Sequence, residues 1–359
     1  MSENLLDAIY GCLIGGAIGD ALGAPVENWH FRDVQRVHGK VTEFLPQPAR
    51  SRDGGPGQIT DDTTLRHYLC LAIVERGGRV TPDDYGRIWL ERMEPNRLFM
   101  TERLVLEKLR LGMSAWDTGR GQLGADAAVM SIGPIGIVNA GDPRQAYGDA
   151  YAVAGIHQDG LERDAAATMA AAQAVAVVPG AHEQDVIAAM LEHSTFAVRR
   201  LVARGKALAE TCGSADEIAE RFYATMLDPS FPTPPGEGYD PQRSVAPTSH
   251  EVVPAVTALL LHCEGVADRC LVEGASFGRD ADTIASVLGC LAGALTGAGG
   301  IRPDWIEASE RANQDFFTEL EGDPRADFRA MAGRLVEVLA AERMRLHDRA
   351  AALDALLSG

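Results

Sequence analysis

The sequence predicts an all-α fold. Three observations carry this prediction: apolar residues recur at helical spacing through most of the chain, these stretches are rich in alanine, and alternating runs of β-branched residues are almost absent. The chain has 359 residues, 46% of them hydrophobic and 23% charged, which is typical of a globular protein. Because core-like helices precede and follow the longest proline-rich break, we interpret residues 1–359 as one domain.

The periodic pattern predicts the individual helices in order. They cover residues 3–19, 63–77, 82–93, 100–112, 143–155, 161–178, 183–193, 195–211, 214–226, 250–263, 266–276, 282–297, 303–320 and 325–357. The longest breaks are 40–60, 113–142 and 227–249, and the last is rich in proline, as expected of either a surface loop or the rim of a pocket. Leucines form a stripe along the last helix, which predicts a core face, with a dimer contact as the alternative.

Glycines recur at every fourth residue of the N-terminal helix, at positions 11, 15, 19 and 23. This spacing puts them on one face, where another backbone can approach closely. A membrane dimer helix would show the same pattern, but Asp7 and Asp20 argue against that reading. We therefore expect tight packing inside a helical core.

The charge of the chain excludes two classes of partner. The net charge is −18 at pH 7, so no basic excess exists to neutralise the phosphates of a nucleic acid or to dock on an anionic membrane. The six cysteines form no C-x-x-C pair, and most lie in apolar runs, which predicts buried thiols in a reducing compartment. With no recognisable signal peptide, the expected location is the cytoplasm.

Three short motifs match known catalytic or binding patterns but lack the sequence context that those patterns need. Gly274 to Gly278 matches the nucleophile elbow around Ser276, but the preceding residues are predicted to be helical, whereas that motif needs a strand. Gly119 to Gly124 matches G-x-G-x-x-G, but the strand that precedes this motif in a dinucleotide-binding fold is not predicted here. The alternative, a loop whose main-chain amides face a phosphate, is compatible with the sequence. Neither His-Glu pair continues to the second histidine of H-E-x-x-H, which disfavours a zinc enzyme.

Two acidic clusters share one composition. They are Thr60-Asp61-Asp62-Thr63 and Asp280-Ala281-Asp282-Thr283, and each opens an apolar helical run. A single aspartate or threonine suffices to cap a helix, so the doubled clusters exceed that need. Crowded carboxylates must either take up protons or bind a cation, and hard oxygen ligands favour Mg²⁺ or Mn²⁺ over zinc. We therefore expect the two clusters to meet around one pocket.

A third segment, from Gly19-Asp20 to Glu27, contains a helix end, a proline and an isolated glutamate. Alone, it predicts an ordinary helix end followed by a solvated glutamate. Together with T-D-D-T, Gly133 to Gly136, Ser249 to Pro254 and D-A-D-T, it resembles the ADP-ribosylglycohydrolase family from about residue 5 to about residue 300. The helices from about 303 to 357 lie outside this resemblance.

The resemblance implies a single-domain orthogonal helical bundle with two Mg²⁺ or Mn²⁺ ions. Its metal ligands would be Thr60, Asp61, Asp62, Asp280, Asp282 and Thr283. Glu27, together with Asp62 and Asp282, would be catalytic. The implied substrate-binding residues are Asp20, Gly121, Gly124, Asp126, Met130, Ser131, Gly133 and Arg279.

Some positions depart from the family pattern. Arg279 stands where glycine is common, and Asp126 and Ser131 stand where the diphosphate loop often has asparagine and arginine. Arg279 would either clamp a phosphate or carboxylate or fill the space of the nucleotide. The implied activity is removal of ADP-ribose from a protein side chain or small molecule. The alternatives are hydrolysis of a nucleoside or ribose phosphate, and binding of ADP-ribose without catalysis. The expected oligomeric state is a monomer or a small homo-oligomer.

Overall fold

The computed structural model describes residues 3–46, 55–225 and 248–358. Within these ranges the regular secondary structure consists of seventeen α-helices and three short 3₁₀ helices, which confirms the all-α prediction. The α-helices are α1 (Glu3–Gly23), α2 (Phe31–His38), α3 (Asp61–Arg76), α4 (Pro82–Arg92), α5 (Met100–Arg110), α6 (Ala127–Ser131), α7 (Gly133–Val138), α8 (Pro143–Ala154), α9 (Gly160–Ala176), α10 (Glu183–Glu192), α11 (Phe196–Thr211), α12 (Ala215–Thr225), α13 (Ser249–His262), α14 (Ala267–Ala275), α15 (Ala281–Thr296), α16 (Pro303–Glu321) and α17 (Phe328–Ser358).

The fourteen helices predicted from periodicity are all present. The helices α2, α6 and α7 were not predicted, because segments of five to eight residues give too few turns for a periodic pattern. Residues 227–247 of the predicted proline-rich break lie outside the described residues.

The helices α1 and α15 pack antiparallel with their backbones in contact. A Cβ atom on Gly11 would lie 2.1 Å from the carbonyl oxygen of Gly293, and one on Gly23 would lie 2.3 Å from that of Ala281. The glycine face of α1 is therefore covered by α15 along its length, as the spacing predicted. This packing brings the C-terminal end of α1 to the N-terminal end of α15.

The segment Glu3–Val26 is long and apolar enough to cross a membrane by length and composition. Its most apolar window is 83% buried inside the protein, however. Such burial is typical of a core helix, because a spanning helix presents most of its surface to lipid. The packing against α15 accounts for the glycine-rich, apolar sequence of α1.

The prediction that the stripe of α17 is a core face is wrong for the second half of the helix. Leu335 is buried and Leu339 partly so. Leu346, Leu353 and Leu357 are 57%, 49% and 86% exposed. Helical spacing places these leucines on one face, but among the described residues no other helix covers the end of that face. All six cysteines are buried free thiols, as predicted.

Candidate functional site

The candidate site lies where the end of α1 meets the first turns of α3 and α15. Asp20, Asp62 and Asp282 each offer one carboxylate oxygen, and these three oxygens lie within 4.8 Å of one another. All three side chains are buried. The structure thus brings the two acidic motifs and the end of the first helix together.

Asp20 ties α1 to the beginning of α3. Its carboxylate accepts hydrogen bonds from the hydroxyl groups of Thr60 and Thr63, at 2.7 and 2.6 Å, and from both of their main-chain N–H groups. We expected Asp20 to bind substrate, but its oxygens are engaged in holding the first turn of α3. Asp20 therefore fixes the first turn of α3, and with it Asp62, relative to the end of α1.

Four buried aspartate oxygens have no hydrogen-bond donor. They are Asp62 Oδ1, Asp126 Oδ2, Asp280 Oδ2 and Asp282 Oδ1. A buried charge without a partner costs several kcal/mol, so such oxygens are expected to meet a cation. The donor set is made of carboxylates, which suits Mg²⁺ or Mn²⁺. The residues present therefore fit the metal ions that the sequence implies.

Burial raises the pKa of Asp62, Asp280 and Asp282 well above the ordinary range of a carboxyl group. Nearby negative charge raises each pKa further: Asp282 acts on Asp62, Asp126 on Asp280, and Glu27 on Asp282. These carboxyl groups therefore face one another closely enough to repel. A divalent ion between them would remove both the repulsion and the bound protons.

Asp61 lies at the half-buried edge of the same cluster. Burial raises its pKa to about 7, and the charges of Glu102 and Glu27 add to the effect. Glu102 is itself buried; one of its oxygens accepts a hydrogen bond from the Thr101 hydroxyl at 2.7 Å, and the other has no donor. Glu102 was not among the predicted site residues, because nothing in its local sequence links it to the acidic motifs.

The two threonines predicted as ligands have different surroundings. The hydroxyl of Thr60 donates to Asp20 and accepts the N–H of Asp62 at 3.4 Å, so it serves as the N-cap of α3. The hydroxyl of Thr283 is buried and lies 3.9 Å from the sulfur of Met130. Thr60 therefore already has two hydrogen-bonding partners, whereas Thr283 has one weak contact.

Glu27 follows the short helix after α1 and is partly exposed. One of its oxygens accepts a hydrogen bond from the Asn28 side chain at 3.0 Å. Its charge acts on Asp61, Asp280 and Asp282. Glu27 is thus positioned beside the cluster and is partly exposed, so a ligand that binds at the cluster could come within its reach.

The predicted diphosphate loop is only partly available to a ligand. Gly121 is exposed and has a φ of 70°, a conformation that favours glycine, and Gly124 and Gly133 are half-buried. Ser131 is buried, and its hydroxyl donates to the Ala127 carbonyl at 2.8 Å, within α6. We predicted that Ser131 binds substrate, but its side chain is buried and its hydroxyl is bonded within its own helix.

Arg279 is paired with Glu251. Its guanidinium donates to the two carboxylate oxygens at 2.8 and 3.0 Å, and both side chains are buried. Its φ is 55°, and its main chain exchanges hydrogen bonds of 2.7 and 2.6 Å with Trp29 and Asn28. The sequence suggested that Arg279 either binds a phosphate or carboxylate or fills the space of the nucleotide. In the structure it binds a carboxylate, and this carboxylate belongs to Glu251 of the protein itself.

Arg66 was missed by the sequence reasoning. It is buried one turn after Asp62 and donates to the carbonyl of Met130 at 2.8 Å and the hydroxyl of Ser286 at 2.5 Å. Its positive charge acts on Asp62 and Asp20 from beneath the cluster. An arginine inside an otherwise apolar helical run was the available signal.

Comparison with known proteins identifies relatives across the whole fold. A sequence profile described as ADP-ribosylglycohydrolase matches residues 1–344. The Escherichia coli (strain K12) protein YegU is 26% identical over 330 residues, which cover 86% of this chain and 93% of YegU. An Archaeoglobus fulgidus protein is 27% identical over 314 residues, with the same coverage of 86% and 93%. A chain of an ADP-ribosylglycohydrolase-related protein complex shares the fold at 21% identity, with a TM-score of 0.64, and the match covers 94% of this chain and 99% of that one.

Proposed function

Because the chain belongs to the ADP-ribosylglycohydrolase family, and is thereby a hydrolase of a glycohydrolase superfamily, we propose that it cleaves a ribosyl glycosidic bond with the help of Mg²⁺ or Mn²⁺. The reaction we propose first is removal of ADP-ribose from a protein side chain or a small molecule. The observation that carries the proposal is the meeting of Asp20, Asp62 and Asp282, whose oxygens lie within 4.8 Å of one another.

The residues that would hold the ions are three of those with donor-free oxygens, Asp62, Asp280 and Asp282, together with Asp61 and the threonines of the two motifs. When bound, such ions orient hydroxyl groups and make an attacking water more acidic. Asp20 would keep the first turn of α3 in place, because four hydrogen bonds fix it there. The protein would thus supply a preformed set of oxygen ligands.

The charge of the site suits glycoside cleavage. Breaking a ribosyl bond develops positive charge at the anomeric carbon. Carboxylates at the edge of the cluster, such as Asp61 and Glu27, would favour that charge. Glu27 lies next to the cluster and reaches solvent, so it would carry a proton to the leaving group or take one from the water.

A second candidate is hydrolysis of a nucleoside. Two observations favour it over a phosphorylated substrate: Glu251 neutralises Arg279, and Asp126 adds a buried carboxylate to the loop that would follow a diphosphate. A diphosphate placed there would approach negative charge, which disfavours its binding. An uncharged ribosyl compound would avoid that repulsion.

One experiment distinguishes these reactions. The Mn²⁺-loaded protein would be incubated with ADP-ribosyl-arginine, ADP-ribosyl-serine and a panel of nucleosides, and free ADP-ribose or ribose would be measured by chromatography. We expect release of ADP-ribose, abolished by EDTA and by Asp282→Asn. Turnover of nucleosides alone would support the second candidate. Tight binding of ADP-ribose in calorimetry, with every glycoside intact, would overturn both reactions and identify a binding protein.

A further inference from the structure

Asp126 stands immediately before α6, at a position where an aspartate ordinarily caps the helix. Its side chain makes no capping hydrogen bond. It is only 5% exposed, and its Oδ2 atom has no donor. The carboxylate of Asp126 is therefore neither solvated nor used by its own helix.

Asp280 repeats this arrangement at the start of α15. It also occupies an N-cap position without capping, it is 3% exposed, and its Oδ2 atom has no donor. The side chains of the two residues lie within hydrogen-bonding distance of each other. Two buried aspartates thus turn away from their own helices and toward each other.

The charge around these two residues also requires a partner. Asp20 has its hydrogen bonds from α3, whereas Asp62, Asp126, Asp280 and Asp282 each keep an oxygen without a donor. The carboxylates of Asp126 and Asp280 therefore add unpartnered negative charge to the site, and a divalent ion held between them would neutralise it.

We propose that Asp126 is a metal ligand, binding the same divalent ion as Asp280. This inference rests on the proposed function, because it assumes the metal centre of that function. It changes the role expected of Asp126, which the sequence resemblance placed in the diphosphate loop. The ligand set would then draw on three parts of the chain: the start of α3, the turn before α6 and the start of α15.

The test measures metal binding without any substrate. Mn²⁺ alone would be titrated calorimetrically into metal-free wild type, Asp126→Asn and Asp117→Asn. Asp117 is an exposed carboxylate earlier in the same connection, which makes it a matched control. We expect two ions in the wild type and the control. In Asp126→Asn we expect one of the two affinities to fall by about tenfold or more.

Thermal unfolding controls for a folding defect. Asparagine has nearly the same shape as aspartate and removes a buried repulsive charge, so metal-free Asp126→Asn should melt at or above the temperature of the metal-free wild type. Its gain in melting temperature on addition of Mn²⁺ should be smaller than the gain of the wild type. Loss of metal affinity with a lower metal-free melting temperature would indicate a structural role and overturn the inference.

The outcomes separate this inference from the proposed function. Binding of both ions by Asp126→Asn with wild-type affinity would overturn the inference and leave the proposed function standing. A wild type that binds two ions but hydrolyses no ribosyl compound would overturn the proposed function and leave the inference standing. A wild type that binds no Mn²⁺ would overturn both.

Discussion

Asp62 and Asp282 face each other across the first turns of α3 and α15, with a carboxylate oxygen of each inside the same 4.8 Å cluster. Most of the chain separates the two residues. Both side chains are buried, and each keeps one oxygen without a donor. Their proximity costs free energy in the absence of a cation, and a cation bound between them would recover that free energy.

Replacing Asp282 by asparagine should abolish activity while sparing the fold. The variant loses a ligand and a buried repulsive charge together, so we expect turnover to fall by roughly 1,000-fold, or about 4 kcal/mol of transition-state stabilisation. The metal-free melting temperature should be unchanged or higher. Activity assays and thermal melts would check both parts, with exposed Asp304→Asn as the control. Wild-type turnover in Asp282→Asn would contradict the assignment.

Replacing Glu27 by glutamine should slow the reaction without weakening metal binding. Glutamine keeps the size of the side chain but cannot exchange a proton, so we expect turnover to fall by about 10²- to 10⁴-fold. Calorimetric titration with Mn²⁺ should give the wild-type affinity, because Glu27 lies beside the donor-free oxygens rather than among them. The exposed Glu307→Gln serves as the control. An unchanged rate would remove Glu27 from the mechanism.

The stability of the metal-free protein should decrease as the pH rises from about 4 to about 7. Burial raises the pKa of Asp61 to about 7, so in this range the folded chain holds a proton that the unfolded chain, with an ordinary aspartate pKa near 3.9, has released. The free energy of unfolding therefore falls with rising pH. We expect a loss of about 2 kcal/mol from this group, less than the full shift would give, because Asp61 is only half-buried.

Urea denaturation between pH 4.5 and 8, in EDTA and in Mn²⁺, would measure this dependence. The metal ions compete with the bound protons, so the stabilisation that they give should grow with pH. If the stability of the metal-free protein instead rises steadily over this range, the pKa of Asp61 is not raised in the folded state and the prediction is wrong.

Gly19→Ala should disrupt the site through the packing of α1 against α15. A Cβ atom on Gly19 would lie 2.1 Å from the carbonyl oxygen of Ala285, and backbone atoms cannot move aside as a side chain can. We expect a destabilisation of about 3 kcal/mol and weaker metal binding, since Asp20 is the next residue. Gly333→Ala is the matched control, because a Cβ atom there has no neighbour within 4 Å, and it should be neutral or slightly stabilising. Equal stability of the two variants would contradict the packing argument.

The sequence predicted those features that depend on local pattern. Periodicity found the long helices, the four-residue glycine spacing predicted the close approach of α15 to α1, and the doubled aspartates marked the starts of α3 and α15. The partner of Arg279 could not be predicted in this way. Glu251 reaches it from α13 through tertiary packing, and no local pattern specifies such a contact.

The surroundings of Asp126 and of the end of α17 could not be predicted for a similar reason. An aspartate before a helix predicts a cap, and only the three-dimensional arrangement shows that Asp126 turns toward Asp280 instead. A leucine stripe predicts a covered face, but whether another helix reaches it depends on the lengths of its neighbours. Sequence periodicity shows which residues share a helix face, but the tertiary structure determines which other residues pack against that face.

The pairing of α1 with α15 also determines when the protein can mature during synthesis. The first helix leaves the ribosome long before its partner, so its apolar surface must wait until residues 281–296 have emerged. Contacts between such distant parts of a chain form slowly, because a long loop must close first. A nascent chain stalled before Asp280 would therefore expose α1 to chaperones and to aggregation, and it would lack the acidic motif at the start of α15.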